Sequence, residues 1–140
     1  MKVRELMSDQ VVSIAPDESA ASAARLLSRH NIGALPVCDA DKRILGIVTD
    51  RDIVLRCIAA DNNPQATQVR DIMTGRVFFL SPEDDLSAAS EIMSREQVRR
   101  LPICEAGKLV GMLSLGDLAQ RDMVEASEAL SDICMNLQKR

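Results

Sequence analysis

The stretch Gly46-Ile47-Val48-Thr49-Asp50-Arg51-Asp52 decides how this 140-residue chain is read, because Gly111-Met112-Leu113-Ser114-Leu115-Gly116-Asp117 repeats its pattern. Each is an apolar run that ends on a hydroxyl residue, with an aspartate three positions later. That spacing makes a capping box, in which the hydroxyl accepts from the third helical N–H and the carboxylate reaches back to the N–H of the cap. The same residues have a second use. A helix start offers free N–H groups to an anion, and a carboxylate there can accept both hydroxyls of a ribose. Spacing alone leaves both readings open.

The duplication extends outward over the whole chain. Val3-Arg4-Glu5-Leu6-Met7 returns as Val69-Arg70-Asp71-Ile72-Met73, and Pro16-Asp17-Glu18 as Pro82-Glu83-Asp84. Ser28-Arg29 matches Ser94-Arg95, and Leu35-Pro36-Val37-Cys38 matches Leu101-Pro102-Ile103-Cys104, all at an offset of 66. One residue drops out of the following turn, so the glycine signature repeats at 65. The expected division is residues 1–66, a first repeat with its linker, and 67–140, a second repeat with a C-terminal helix. Asp61–Gln68, polar and broken by Pro64, reads as the connector.

Within each copy a strand-like run such as Val11–Ile14 comes first. Pro16 and Pro82 are then expected in the first turn of a helix, with acidic residues behind them that suit its dipole. Ala20, Ala23, Ala24 and Leu27 share one helical face, as do Leu86, Ala89, Ile92 and Met93. Ala34–Cys38 with Ile44–Val48, and Leu101–Cys104 with Leu109–Leu113, read as hairpins across short polar turns. A second helix starts near Asp50 and near Leu115. The fold class is therefore α/β (α+β), two β-α-β-β-α repeats. Neither repeat can cover both faces of its sheet, so the two are expected to pack around a pseudo-twofold axis. Gly116–Lys139 holds neither Pro nor further Gly and reads as one long helix, with apolar residues left over for packing or oligomerisation.

Composition removes several functions. Phe78 and Phe79 are the only aromatic residues, and 17 Lys+Arg stand against 21 Asp+Glu, a net charge of −4. A reader of single-stranded nucleic acid usually stacks bases on aromatic rings in a basic groove. With almost no rings and no net positive charge here, a nucleic-acid partner is not expected. No window approaches the run of about 18 apolar residues that spans a bilayer, and no secretory signal opens the chain. A cytoplasmic protein with reduced thiols at Cys38, Cys57, Cys104 and Cys134 follows. These cysteines form no Cys-x-x-Cys, and His30, expected at a helix end, has no ligand-like companion, so no metal is expected. No paired acid and base or nucleophile dyad stands out, which speaks against an enzyme.

The Gly-h-h-Thr/Ser-x-x-Asp signature (h apolar), the Leu-Pro-Val/Ile strand and the Val-Arg-x-h-Met start each occur twice. Together they resemble a cystathionine-β-synthase (CBS) domain pair over nearly the whole chain. The layout is similar to stand-alone bacterial pairs of the hypoxia-response type and to the regulatory modules of inosine monophosphate dehydrogenases. The resemblance implies a non-catalytic sensor that binds an adenosine compound in the inter-repeat cleft. AMP or ATP comes first among the ligands, with ADP, NAD and S-adenosylmethionine as others. A homodimer acting on an unknown downstream protein is implied as well.

Carried over by residue, Asp52 and Asp117 take the ribose diol, with Thr49 and Ser114 near the phosphate. Leu35, Pro36, Ile47, Leu101, Pro102 and Met112 wall the base, and the backbones of Ser13-Ile14 and Phe79-Leu80 read its edge. Arg99, Arg100 and Arg51 are the candidate phosphate ligands. The first copy has Gly33-Ala34 where the second has Arg99-Arg100, and Gly116 replaces Arg51, so one competent and one weaker site are expected. Cys38 and Cys104 read as small buried hydrophobes. The rival reading is a structural or redox-responsive dimeric interaction protein with degenerate clefts.

Overall fold

The computed structural model describes residues 1–121 and 123–138, with side chains described up to Gln120 and again from Glu128 to Asn136. The chain forms two compact units. One comprises Val12–Val77 with Gly107–Leu109, and the other Met1–Val11, Phe78–Ala106 and Val110–Arg140. Each repeat therefore surrenders its opening segment to the unit that holds the body of the other repeat.

In the first unit, α1 (Ala20–His30) precedes β1 (Ala34–Cys38) and β2 (Ile44–Thr49), which pair antiparallel with Pro36 opposite Ile47. The turn between them closes on Asp39, whose Oδ1 accepts from the amides of Asp41 and Arg43 at 2.9 Å each. A short helix α2 (Asp50–Ile53) runs on into a π-helical turn, Val54–Ile58, and α3 (Val69–Ile72) completes the unit. Ala20, Ala23 and Leu27 of α1 pack on Leu35, Val37 and Val48 in an aliphatic core. Ala24, expected on that face, is exposed.

The helix starts later than the prolines suggest. Ser19 is the N-cap, its Oγ accepting from the Ser22 amide at 3.0 Å. Pro16-Asp17-Glu18 forms the turn before it. Its carbonyls have other work, since Pro16 O accepts from Arg70 N at 3.0 Å and Glu18 O from Val69 N at 2.8 Å. The second unit repeats the exchange, Pro82 O accepting from Arg4 N at 3.0 Å and Asp84 O from Val3 N at 2.9 Å. The connector is engaged too, for Pro64 O and Thr67 O accept from the amides of Ala21 and Ala20 at 2.9 and 2.8 Å.

The second unit carries a 3-10 turn, Val3–Glu5, then α4 (Leu86–Glu96), β3 (Arg100–Glu105) and most of β4 (Lys108–Ser114), with α5 (Leu115–Arg121) and α6 (Met123–Gln138). Its hairpin turns at Ala106 and Gly107, both at positive φ (53° and 79°), as the twist of a two-residue hairpin loop requires. Leu86, Ala89 and Met93 of α4 join Leu101, Leu113 and Leu118 in the core. α6 packs along α4, burying Ala129 and Ile133. The long C-terminal helix expected from the sequence thus appears as α5 and α6. Its junction at 122 and its end at 139, and the side chains of Met123, Val124 and Leu137, lie outside the described residues.

The opening runs of the copies are single parallel bridges, Ile14 to Val37 and Leu80 to Ile103, in place of full strands. Among the described residues no helix is long and apolar enough to cross a membrane.

Candidate functional site

Both signature motifs fold as capping boxes. Asp52 N donates to Thr49 Oγ1 and Thr49 N to Asp52 Oδ2, each at 3.0 Å. Asp117 N donates to Ser114 Oγ and Ser114 N to Asp117 Oδ2, again at 3.0 Å. The box uses one oxygen of each carboxylate and orients the other.

What the other oxygen meets differs between copies. Asp52 is 8% exposed, and its Oδ1 lies 3.6 Å from Arg56 Nη1. Arg56 also donates to the carbonyls of Ile72 and Met73 at 3.0 and 3.3 Å, which fixes the guanidinium. Asp117 is half-buried, and no partner of its Oδ1 is found among the described residues. Arg56 is absent from the candidates that the sequence suggests, although its position four residues after Asp52 on a helical run is a legible signal.

The signature glycine is structural in both units. A Cβ at Gly46 would lie 2.7 Å from Thr74 O and 2.8 Å from Met73 Sδ, and one at Gly111 2.9 Å from Met7 Sδ. The cause is a backbone pairing. Ile47 and Thr74 exchange bonds of 2.9 and 2.8 Å, and Ser8 and Met112 exchange two of 2.9 Å.

The remaining candidates divide by accessibility. Leu35 and Leu101 are core residues, and Pro36 and Pro102 are buried as well, whereas Ile47 and Met112 are half-buried. Ile14 donates to Pro36 O and accepts from Cys38 N, and Leu80 does the same with Pro102 and Cys104. The N–H and C=O groups of Ile14 and Leu80 are thus engaged in the sheet. Ser13 is exposed and Phe79 is 51% exposed.

Arg99 stands beside the second box, its carbonyl accepting from Leu115 N at 2.8 Å. Arg99 is exposed and Arg100 half-buried. At the equivalent place in the first unit, Gly33 O accepts from Asp50 N at 3.1 Å. The Asp50 carboxylate there lies 3.7 Å from where a Gly33 Cβ would be. Arg51 is exposed. The backbone of Arg99 therefore adjoins the second box, where Gly33 adjoins the first beside Asp50.

Cys38, Cys57 and Cys104 are buried and Cys134 is exposed. Burial pushes the Cys38 thiol up from its ordinary value, and the Asp39 carboxylate adds to this, against a hydrogen bond with Ser13. Among the described residues no group of three or more His, Cys, Asp and Glu gathers to hold a metal ion.

Two hydroxyl–aspartate boxes on duplicated hairpins define a tandem regulatory pair, and the comparison with protein families agrees. The CBS domain model matches residues 3–58 and again 69–123, and the chain belongs to that family. It is 38% identical over 133 residues to the CBS domain-containing protein YhcV of Bacillus subtilis, covering 94% of both chains. It is 31% identical over 117 residues to hypoxic response protein 1 of Mycobacterium tuberculosis, covering 84% of this chain and 82% of that one. A crystal structure of hypoxic response protein I, described with two coordinated zinc ions, superposes with a TM-score of 0.80 at 30% identity. The match covers 86% of this chain and 98% of that one. The CBS pair of protein MJ0100, described in complex with 5′-methylthioadenosine and S-adenosylmethionine, has a TM-score of 0.76. It covers 86% and 94% of the two chains at 23% identity, a likeness of fold.

Proposed function

We propose that this CBS pair is a non-catalytic cytoplasmic sensor of an adenosine-containing ligand, AMP or ATP foremost. It would act as a homodimer on a downstream protein. The observation that carries the reading is the paired boxes, because each fixes a carboxylate by one oxygen and leaves the other to accept a ribose hydroxyl. Asp52 and Asp117 are the diol acceptors in this reading, Ile47 and Met112 the accessible apolar contacts, and Arg99 and Arg100 the phosphate ligands. The two copies are unequal. Asp117 has no partner for its second oxygen among the described residues and follows a helix start bonded to the Arg99 backbone, whereas Asp52 shares its second oxygen with Arg56. We therefore assign the stronger site to the Asp117 box. The fold of MJ0100, described with two adenosine compounds, supplies the precedent for the ligand class.

Isothermal titration of the full chain with AMP, ATP and S-adenosylmethionine tests this. Asp117→Asn is expected to weaken the tighter binding event at least tenfold, and Arg99→Ala to weaken ATP more than S-adenosylmethionine. Absence of binding by all three, or equal loss from Asp52→Asn and Asp117→Asn, would overturn the reading.

A further inference from the structure

The first unit holds a cavity of about 330 Å³ beside α1 that the boxes do not use. Ser13 and Glu18 line it from the segment before the helix, and Ser22, Arg25, Leu26 and Arg29 from the helix itself. These four helical residues follow one another at intervals of three, one and three, so they stand on one face. Ser22 Oγ accepts from the Ser19 hydroxyl at 3.1 Å and from Arg25 Nη2 at 3.2 Å, leaving its own O–H to donate. That bond takes one of the five N–H groups of Arg25. Among the described residues no carboxylate is ion-paired with Arg25 or Arg29. Glu18 is the one acid in the lining, against two guanidiniums.

The duplication provides an internal comparison. At the offset of 66, Ser13, Ser22 and Arg25 correspond to Phe79, Ala88 and Glu91. Arg29 corresponds to Arg95, which is paired with Glu96 at 2.9 Å. The helix-on-sheet packing common to both copies therefore requires neither these hydroxyls nor two guanidiniums without a carboxylate partner. They gather around one cavity of one copy, in a chain whose net charge is −4. Like charges one turn apart repel, and an oxyanion accepting from both guanidiniums and from a serine hydroxyl turns that repulsion into attraction.

We infer that this cavity is a binding site for a phosphate-type oxyanion, the phosphate end of a small phosphorylated metabolite, with Arg25, Arg29 and Ser22 as its donors. Leu26 gives the rest of such a molecule an apolar wall. The site uses neither Asp52 nor Asp117, and Ser13 and Ile14 in its lining are the residues it shares with the candidate adenosine contacts.

The test is titration of the full-length, 15N-labelled chain with sodium pyrophosphate at constant ionic strength, followed by amide and arginine Nε–H shifts. Saturable shifts at Ser13, Ser22, Arg25 and Arg29 are expected. R25E and S22A place at each position the residue type that Glu91 and Ala88 provide in the other copy. Each is expected to weaken binding, R25E by tenfold or more, while D52N and D117N leave it unchanged. If R25E unfolds, R29Q read by the same shifts takes its place, with a loss of at least threefold expected. Shifts that do not saturate, that persist at equal affinity in R25E and S22A, or that centre on Arg99 and Arg100 would overturn the assignment.

Discussion

Arg56 Nη1 lies 3.6 Å from Asp52 Oδ1 while hydrogen-bonding the carbonyls of Ile72 and Met73, so one guanidinium joins a signature carboxylate to the end of α3. The next residue, Thr74, pairs with Ile47 on β2, the strand that leads back to Asp52. Arg56→Met is expected to cost about 1 kcal/mol, because the arginine is half exposed and its bonds are screened. Amide exchange at Ile47 and Thr74 should accelerate in the variant. Unchanged exchange there would show that the sheet holds this edge without Arg56.

The glycines of the two signatures face chain packed too tightly for a methyl group. Gly46→Ala and Gly111→Ala are each expected to lose about 1–3 kcal/mol through overpacking, read from urea midpoints. Gly75 is the control, since a Cβ there would meet nothing within 4 Å, and Gly75→Ala should stay near wild type.

Each capping hydroxyl satisfies an amide that the short helix leaves unpaired. Thr49→Ala and Ser114→Ala should each destabilise by about 1 kcal/mol, while Thr49→Ser keeps the oxygen and most of the stability. Thermal denaturation of the three variants measures this directly. Equal stability of Thr49→Ala and Thr49→Ser would remove the box from the account.

The Cys38 thiol has a folded-state pKa above its ordinary value of 9.0. The folded state then holds its proton more tightly than the unfolded state, so this contribution is complete below pH 9.0 and is lost as pH rises through the folded value. Stability measured by urea between about pH 8 and pH 10 should fall, and Cys38→Ala should flatten that fall. A slope equal in both proteins would refute the assignment to Cys38. With a thiol reagent at about pH 8, Cys134 should react first, since it alone of the four is exposed.

Much of this architecture is legible from local pattern. The span Ala34–Cys38, the hairpin turns at Asp39 and Ala106, and the helix starts after Thr49 and Ser114 follow from short-range rules of alternation, turn chemistry and capping. Local pattern places the start of α1 too near Pro16, because a fixed φ near −65° suits a helix's first turn and a preceding turn equally. What separates them is that the carbonyls of Pro16 and Glu18 accept amides from Arg70 and Val69, far along the chain. For the candidate site, the hydroxyl–aspartate spacing is written in the sequence. The burial of Leu35 and Pro36 is not, nor is the commitment of the Ile14 and Leu80 backbones to the sheet.

The duplication and the two boxes need no knowledge of the fold, because a contact between residues three apart depends on the local chain alone. Which opening segment covers which glycine strand is a different matter. Val3-Arg4-Glu5-Leu6-Met7 and Val69-Arg70-Asp71-Ile72-Met73 are nearly the same sequence, and backbone hydrogen bonds read no side chains. The pairings of Ser8 with Met112 and of Thr74 with Ile47 are thus set by how each segment is placed in three dimensions. The same placement gives Arg56 its carbonyl partners and makes the two carboxylates unequal, though their motifs look alike.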